Sequence, residues 1–238
     1  PDRRADVDAG RSSKYERVTD DWAQGLGVNA GQNNFDRIKY DYFLDGTVLF
    51  EDFKADEYDF RSEFSATRWA TGYDFPAVAD GRVVKELLEN DRPSGMRGFV
   101  FNTRREVFAD RAVREALSYA FDFEWSNKNL FYGQYQRTRS YFQNSDLAAE
   151  GPPDEEELAL LEPLRKDLPP RVFTESYQPP HADGAGRPRE NLRHAQKLLM
   201  DAGYQVKGGK LHTPDGKPVH FEFLLYRPAF ERIVLPFA

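Results

Sequence analysis

Residues 98–122 read GFVFNTRREVFADRAVREALSYAFD, and this stretch predicts the fold of the chain. Its first five residues are an apolar and aromatic run that stops at Asn102, which is typical of a buried strand. In the second part, apolar residues recur on one face of a helix, and Asp110 stands where its carboxylate would cap the first turn. The stretch therefore predicts a strand that leads into an amphipathic helix.

The same stretch resembles the signature of a known family. The pattern consists of a Phe-Asn-Thr run ending at Thr103, then Phe108 and Asp110, and then the helix. It resembles the signature of the extracellular solute-binding proteins of the dipeptide/oligopeptide family. Those proteins are the periplasmic receptors of ABC importers, and in them this strand and helix open the second large lobe. The chain departs from the family pattern at residues 121–125, FDFEW. This aromatic variant resembles the YejA-type subgroup.

Segments on both sides extend the resemblance. The predicted elements of the first 60 residues follow each other in the same order as in the family. They are a strand around Tyr15, a turn at Trp22, a strand over residues 33–43, a helix beginning after Asp45 or Thr47, and an extended piece at residues 58–60. Asp56 stands where the family commonly has glycine. Near the other end, a helix over residues 190–202, Gly203 as its C-cap and a hairpin also resemble the second lobe. Turn chemistry places that hairpin's turn at residues 214–217, followed by a strand over residues 219–225.

The resemblance implies an α/β fold of the periplasmic binding protein type II class, with two lobes and a ligand cleft between them. It also implies that this chain is the central part of a longer protein, and both ends of the sequence read as cuts. Residues 1–68 are expected to form part of the first lobe, and residues 95–238 most of the second. The segment between them, residues 69–94, is expected to cross from one lobe to the other, with a short helix at residues 83–88.

Composition excludes several classes of function. The net charge of -7 argues against nucleic-acid binding, which needs a basic surface. No apolar run approaches the roughly 20 residues that span a bilayer. Cysteine is absent, so there is neither a thiol nucleophile nor a disulfide framework. The family resemblance implies a periplasmic location and a monomeric receptor.

The sequence contains no recognisable constellation of catalytic residues. There is no Gly-x-Ser-x-Gly elbow, and the four histidines lack metal-ligand spacing. We therefore expect no enzyme, no metal site and no cofactor. The alternative is a secreted hydrolase acting on glycans or peptides through paired carboxylates of residues 51–59, a run that more often forms a solvated face. A third possibility is an interaction module without a small ligand.

A binding function has better support from the residues. Residues 137–142 alternate arginine with aromatic side chains, and arginine can grip a carboxylate bidentately while rings cover apolar side chains. A buried face of a surface strand would give the same pattern. The proline-rich segment 167–188 predicts a long loop, a feature that is often functional.

The resemblance implies that a peptide is held largely by its main chain and is passed to a membrane permease. The expected ligand contacts lie in the opening strand, in an aromatic segment near the proposed crossing and in the arginine-rich segment. They are Trp69, Tyr73, Phe99, Phe101, Asn102, Arg137, Arg139, Tyr141 and Phe142.

Overall fold

The computed structural model describes residues 2–32 and 34–238, which divide into two compact units. Unit 1 contains the described part of residues 1–62 together with residues 75–82, and unit 2 contains residues 63–74 and 83–238. Pro1, the first residue of the predicted first lobe, and Asn33, where the predicted strand over residues 33–43 begins, lie outside the described residues. The assignment of residues 1–68, 69–94 and 95–238 to lobes and a crossing stays a prediction.

Unit 1 is built on a three-stranded antiparallel sheet in the order β1-β2-β3. The strands are β1 (Asp2–Asp8), β2 (Ser12–Arg17) and β3 (Arg37–Asp41). A three-residue turn joins the first two strands, and Gly10 adopts a φ of 77° there, which a residue without Cβ adopts at little cost. The predicted strands around Tyr15 and within residues 33–43 are confirmed as β2 and β3.

Strand β1 has no counterpart among the strands predicted from the sequence. Its sequence, DRRADVD, is charged along its length and lacks the apolar alternation that marks a half-buried strand. The strand lies at one edge of the sheet, where charged side chains are common because they discourage pairing with a further chain. Local sequence therefore could not reveal it, because its pairing with β2 defines it.

The helices of unit 1 cover an aromatic core. Helix α1 (Gly46–Lys54) begins at Asp45, whose carboxylate accepts hydrogen bonds from the backbone of Thr47 and Val48 at 2.7 and 3.0 Å. The predicted helix is confirmed, and of the two candidate capping residues, Asp45 and Thr47, Asp45 is its N-cap. Phe50 is buried, and its ring packs edge-on against Phe75 with centroids 6.3 Å apart, just before helix α3 (Pro76–Ala79).

Unit 2 is mainly helical. Its helices are α2 (Ala66–Thr71), α4 (Glu106–Ala109), α5 (Arg111–Ala120), α6 (Phe123–Leu130), α7 (Glu155–Leu161), α8 (Arg189–Asp201) and α9 (Glu231–Val234). Short 3₁₀ turns cover Glu162–Leu164, Pro170–Phe173 and Pro228–Phe230, and another, Gly27–Asn29, belongs to unit 1. A two-stranded hairpin joins β4 (Gln205–Lys207) to β5 (Lys210–His212).

The core of unit 2 lies between α5 and α8. Val113 and Ala116 on α5 and Ala195 on α8 are buried, and the rings of Tyr119 and His194 meet with centroids 4.3 Å apart. Asp110 caps α5 by accepting the backbone N–H of Ala112 at 2.8 Å, as predicted. The predicted helix over residues 190–202 is confirmed as α8.

Two predicted strands of unit 2 are absent from the described structure. Residues 98–102 run without regular structure, and Val100 is 89% exposed. In residues 219–225 half-buried and exposed side chains alternate, as in a strand. Their backbone is joined to β5 only through Val219, next to the bridge from His212 to Pro218. Apolar pattern alone does not make a strand, because each strand needs a neighbour for its backbone hydrogen bonds.

The helix predicted at residues 83–88 is also absent, and residues 84–102 carry no helix or strand. A single short turn of helix is marginal without capping or packing, and β-branched Val83 and Val84 lower its propensity further. The helices of this part of the chain lie earlier, at α2 and α3. Ser65 caps α2 by accepting the backbone N–H of Arg68 at 3.2 Å.

Candidate ligand-binding site

Trp69 and Tyr73 form an aromatic pair in unit 2. Trp69 lies on α2 and Tyr73 follows the end of that helix, so a spacing of four residues brings the rings together. Their centroids are 6.1 Å apart in an edge-to-face arrangement. The ammonium group of Lys85 lies 4.4 Å from the centroid of Trp69 and 5.8 Å from that of Tyr73. Two of the predicted site residues are therefore in contact, around a cation that the sequence did not point to.

A buried carboxylate fixes the orientation of this pair. The side chain of Glu63 is 3% exposed and accepts hydrogen bonds from the Tyr73 hydroxyl at 3.2 Å and from the backbone N–H of Ser65 at 2.9 Å. The guanidinium of Arg68 lies 3.5 Å from the same carboxylate. Buried carboxylates are stable only when paired and hydrogen-bonded, so Glu63 holds the tyrosine in one position. Sequence reasoning missed Glu63, since nothing local marks an acidic residue as buried.

Phe99 and Phe101 belong to a chain of phenylalanine rings. Phe99 meets Phe223 with centroids 5.5 Å apart, and Phe101 meets Phe108 at 5.2 Å. Further ring contacts at 5.3 to 5.9 Å continue the chain through Phe221, Phe237 and Phe121. These contacts hold residues 98–102 and 219–225 against unit 2 in place of strand pairing.

Asn102 begins the turn that leads into α4. Its side-chain oxygen accepts the backbone N–H of Arg104 at 3.3 Å, and its carbonyl accepts the backbone N–H of Arg105 at 2.9 Å. This asparagine therefore acts as a turn residue in the described structure.

Arg137 points into unit 2. Its guanidinium donates a hydrogen bond to the carbonyl of Pro180 and lies 5.8 Å from the ring centroid of Phe123. Burial lowers the pKa of this guanidinium from its ordinary value, and the negative charges of Glu124 and Asp122 oppose that shift. The contacts of Arg137 within the protein are those of a structural residue.

Arg139 differs from Arg137. Its side chain is exposed and makes no hydrogen bond or ion pair with the rest of residues 2–32 and 34–238. Tyr141 is 77% exposed and Phe142 is 54% exposed, and neither ring meets another ring of the described chain. A free guanidinium beside two uncovered rings is able to bind a carboxylate and an apolar side chain together.

The three predicted segments make no direct hydrogen bond or ring contact with one another among the described residues. Their connections are indirect. Gln134, three residues before Arg137, donates a hydrogen bond to the carbonyl of Ala66 at 3.2 Å, and Ala66 lies three residues before Trp69 on α2. Ser94 donates its backbone N–H to the carbonyl of Gln143 at 2.9 Å, which joins the segment before Phe99 to the one after Phe142.

The proline-rich loop packs on the first turn of α6. Glu124 accepts the backbone N–H of Ala182 at 3.0 Å and lies 2.8 Å from Nδ1 of His181, while buried Asp122 accepts the backbone N–H of Gly186 at 3.0 Å. Gly186 lies directly against the indole of Trp125. Asp122, Glu124 and Trp125 all lie in the aromatic variant 121–125, so this variant supports the loop.

Two of the open depressions formed by the described residues contain no predicted site residue. One, of about 450 Å³, is lined by five residues of α6 and the turn after it: Glu124, Asn127, Lys128, Tyr132 and Gly133. The other, of about 520 Å³, lies on the sheet of unit 1 and is lined by Asp2, Tyr15, Ile38, Tyr40 and Tyr42. The predicted contacts around Trp69 and Arg139 therefore lie outside both depressions.

The described residues offer neither a cluster of metal ligands nor a helix that could span a membrane. They contain no group of three or more histidine, aspartate or glutamate side chains placed to hold a metal ion. None of the helices in residues 2–32 and 34–238 has the length and apolar character needed to cross a bilayer.

Comparison with known sequences places this chain among binding proteins. The profile of the bacterial extracellular solute-binding proteins, family 5 middle region, matches residues 4–235. YejA of Escherichia coli K12, an uncharacterised protein, is 48% identical over 229 residues, which cover 96% of this chain and 38% of that protein. The "Probable peptide-binding protein YejA" of Agrobacterium fabrum is 46% identical over 240 residues, covering 100% of this chain and 39% of that protein. The predicted resemblance to the YejA-type subgroup is confirmed.

A further relative and two solved structures complete the comparison. The "Peptidoglycan-binding protein YepA" of Agrobacterium fabrum is 42% identical over 231 residues, 94% of this chain and 38% of that protein. NikA from Brucella suis, solved with Fe(III)-EDTA, superposes with a TM-score of 0.58 at 20% identity, covering 92% of this chain and 35% of that one. NikZ from Campylobacter jejuni, solved with Ni(L-His), superposes with a TM-score of 0.54 at 17% identity, covering 92% of this chain and 34% of that one. These likenesses confirm the predicted type II-like α/β fold, and this chain spans about two fifths of its relatives' length.

Proposed function

The chain belongs to family 5 of the bacterial extracellular solute-binding proteins, and on this basis we propose that the protein is the binding receptor of an ABC importer for peptides. The match of the family profile over residues 4–235 carries this proposal. A relative that is 46% identical and named as a peptide-binding protein supports peptides as the ligand class. The protein acts in the periplasm, where it binds peptide and passes it to the membrane permease.

Binding is the whole of the proposed activity, with no chemical step and no cofactor. Two relatives from Agrobacterium fabrum are named as binding proteins, which supports a receptor over the secreted hydrolase considered as the alternative. In the acidic run that would have to supply catalytic carboxylates, Glu51 is paired with Lys54 at 3.0 Å. The receptor is a monomer, and residues 1–68 and 95–238 contribute to different lobes.

The proposed ligand contacts come from the segments around Trp69, Phe99 and Arg139. The aromatic pair Trp69 and Tyr73 presents ring faces, and Arg139 presents a guanidinium without a partner in the described chain. A peptide offers the complementary groups, which are a carboxylate, apolar side chains and an amino terminus. Arg137 contributes by holding the proline-rich loop in place.

Native mass spectrometry of the full-length protein, purified without denaturation from the periplasm of its host, tests this function. We expect complexes heavier than the protein by the masses of short peptides, which tandem fragmentation then sequences. Unfolding and refolding should remove the bound peptides, so that the mass of the protein alone is observed. Addition of a peptide digest should restore the heavier complexes. A complex that carries only non-peptide molecules, with no uptake of peptides after refolding, would overturn the proposed ligand class.

A further inference from the structure

The ammonium group of Lys85 is held by aromatic rings and one carbonyl. It lies 4.4 Å from the ring centroid of Trp69 and 5.8 Å from that of Tyr73, and it donates a hydrogen bond to the carbonyl of Trp69. Within residues 2–32 and 34–238 it forms no ion pair, although the sequence has 40 acidic residues against 33 lysines and arginines. The ring faces are thus the main negative surface that this cation meets.

The rings and the cation are held to different degrees. Trp69 lies on a capped helix, and the Tyr73 hydroxyl is bonded to the buried carboxylate of Glu63 at 3.2 Å. Lys85 is exposed and lies in residues 84–102, which carry no helix or strand. The rings therefore form a preorganised site, and the cation that fills it comes from an irregular segment.

We infer that the Trp69–Tyr73 pair binds an ammonium group of the ligand, and that Lys85 occupies this place as an internal substitute. The inference rests on the proposed function, because it assigns one subsite of the proposed peptide. The chemical class that fits is a primary ammonium, either the free amino terminus of a peptide or a side-chain ammonium. Such a group offers the same charge and the same hydrogen-bond donors as Lys85.

Competition between the two cations follows from this arrangement. A ligand ammonium enters only when Lys85 leaves. The apparent dissociation constant is therefore the intrinsic constant divided by the fraction of molecules in which Lys85 has left the rings. A ligand without an ammonium does not compete for the rings. Removing the charge of Lys85 is therefore expected to strengthen binding of cationic ligands selectively.

The first experiment compares trialanine, which has a free amino terminus, with N-acetyl-trialanine by calorimetry on the full-length protein. In Lys85→Met we expect the affinity for trialanine to rise by about threefold or more, with that for the acetylated peptide unchanged. In Trp69→Leu, and independently in Tyr73→Leu, we expect the affinity for trialanine to fall by about tenfold relative to the acetylated peptide. Lys166→Met removes another exposed lysine and should change neither affinity.

The second experiment does not depend on peptide binding. In protein labelled with 5-fluorotryptophan, the ¹⁹F signal of Trp69, identified by its loss in Trp69→Leu, is followed while ethylammonium chloride is added, with sodium chloride as the ionic-strength control. We expect a saturable shift that is larger in Lys85→Met than in the wild type. If neither peptide binds but this shift occurs, the proposed peptide function fails and the ammonium site stands. Either of two results in Lys85→Met overturns the inference. One is a ratio of trialanine to N-acetyl-trialanine affinity equal to that of the wild type, and the other is the absence of a ¹⁹F shift that is specific to ethylammonium.

Discussion

Nδ1 of His181 lies 2.8 Å from Oε1 of Glu124, although the two residues are 57 positions apart in the sequence. The second carboxylate oxygen of Glu124 accepts the backbone N–H of Ala182 at 3.0 Å. One side chain of α6 therefore binds two consecutive residues of the proline-rich loop. The segment in which this chain departs from the common family pattern thus has a structural task, which is to anchor a loop.

Replacing Glu124 with alanine should release that loop. Hydrogen bonds to a charged group contribute roughly 1.5–3 kcal/mol, so we expect the amide of Ala182 to exchange with solvent about 10- to 100-fold faster. Hydrogen-exchange mass spectrometry of peptides covering residues 176–188 measures this. Glu156→Ala, on the exposed first turn of α7, is the control and should leave exchange in the loop unchanged. Equal exchange in wild type and Glu124→Ala would show that other contacts hold the loop.

Gly186 should tolerate substitution poorly. Its φ is 81°, and a Cβ there would lie 2.9 Å from the indole of Trp125. Alanine at this position should lower the unfolding free energy by roughly 1–2 kcal/mol because its backbone is left-handed, and by about 1–3 kcal/mol more because its Cβ crowds the ring. Gly209→Ala is the matched control, since its φ is 75° and nothing lies within 4 Å of the added carbon. Urea denaturation should give a larger loss of unfolding free energy for Gly186→Ala, and equal losses would contradict the contact with Trp125.

Tyr204 should make stability sensitive to alkaline pH. Burial raises the pKa of its phenol above the ordinary value of 10.0, and the neighbouring carboxylate of Asp110 adds to the shift. Above pH 10.0 the unfolded state loses this proton while the folded state keeps it, so unfolding free energy falls as pH rises from that value towards the folded pKa.

The test compares Tyr204→Phe with the wild type by urea denaturation between about pH 8 and 11. Near neutral pH the variant should be less stable by about 1 kcal/mol, because the phenol hydroxyl and its interaction with the carboxylate of Asp110 are lost. That difference should shrink above about pH 10, since phenylalanine does not ionise. Tyr226→Phe, at a residue that is 76% exposed, should follow the wild type. A constant difference between Tyr204→Phe and wild type across this range would contradict the prediction.

We expect Arg137 to have a structural role and Arg139 a role in ligand binding. Arg137→Ala removes the hydrogen bond to Pro180 and is expected to lower unfolding free energy by about 1–3 kcal/mol. Arg139→Ala should leave stability within about 0.5 kcal/mol and weaken peptide binding by about 10-fold or more, provided that Arg139 holds the terminal carboxylate.

Calorimetry of the full-length variants with a tripeptide and its C-terminal amide distinguishes these roles. The amide should bind Arg139→Ala as well as it binds the wild type, because it lacks the carboxylate. Arg139→Lys should restore the binding only in part, since a point charge lacks the guanidinium fork. Unchanged affinity of folded Arg139→Ala for the acid form would remove Arg139 from the site.

The amino-acid sequence alone determined the features whose causes are local. Asp45, Asp110 and Asp154 cap their helices through bonds to amides two or three positions ahead, and the periodicity of α5 and α8 places their buried faces. Pro163 ends α7 as a 3₁₀ turn begins, as its missing N–H and fixed ring require. The family resemblance also rests on such short-range patterns, and for that reason the residues alone reveal it.

Tertiary structure alone decided which distant groups meet. Nothing near Lys85 in the sequence indicates that it lies over Trp69, and nothing near Arg137 indicates that its partner is the carbonyl of Pro180. The apolar run at residues 98–102 predicted a strand, yet a strand exists only where another segment supplies matching donors and acceptors. Long-range pairing depends on how the whole chain packs, and a single segment does not encode its own partner.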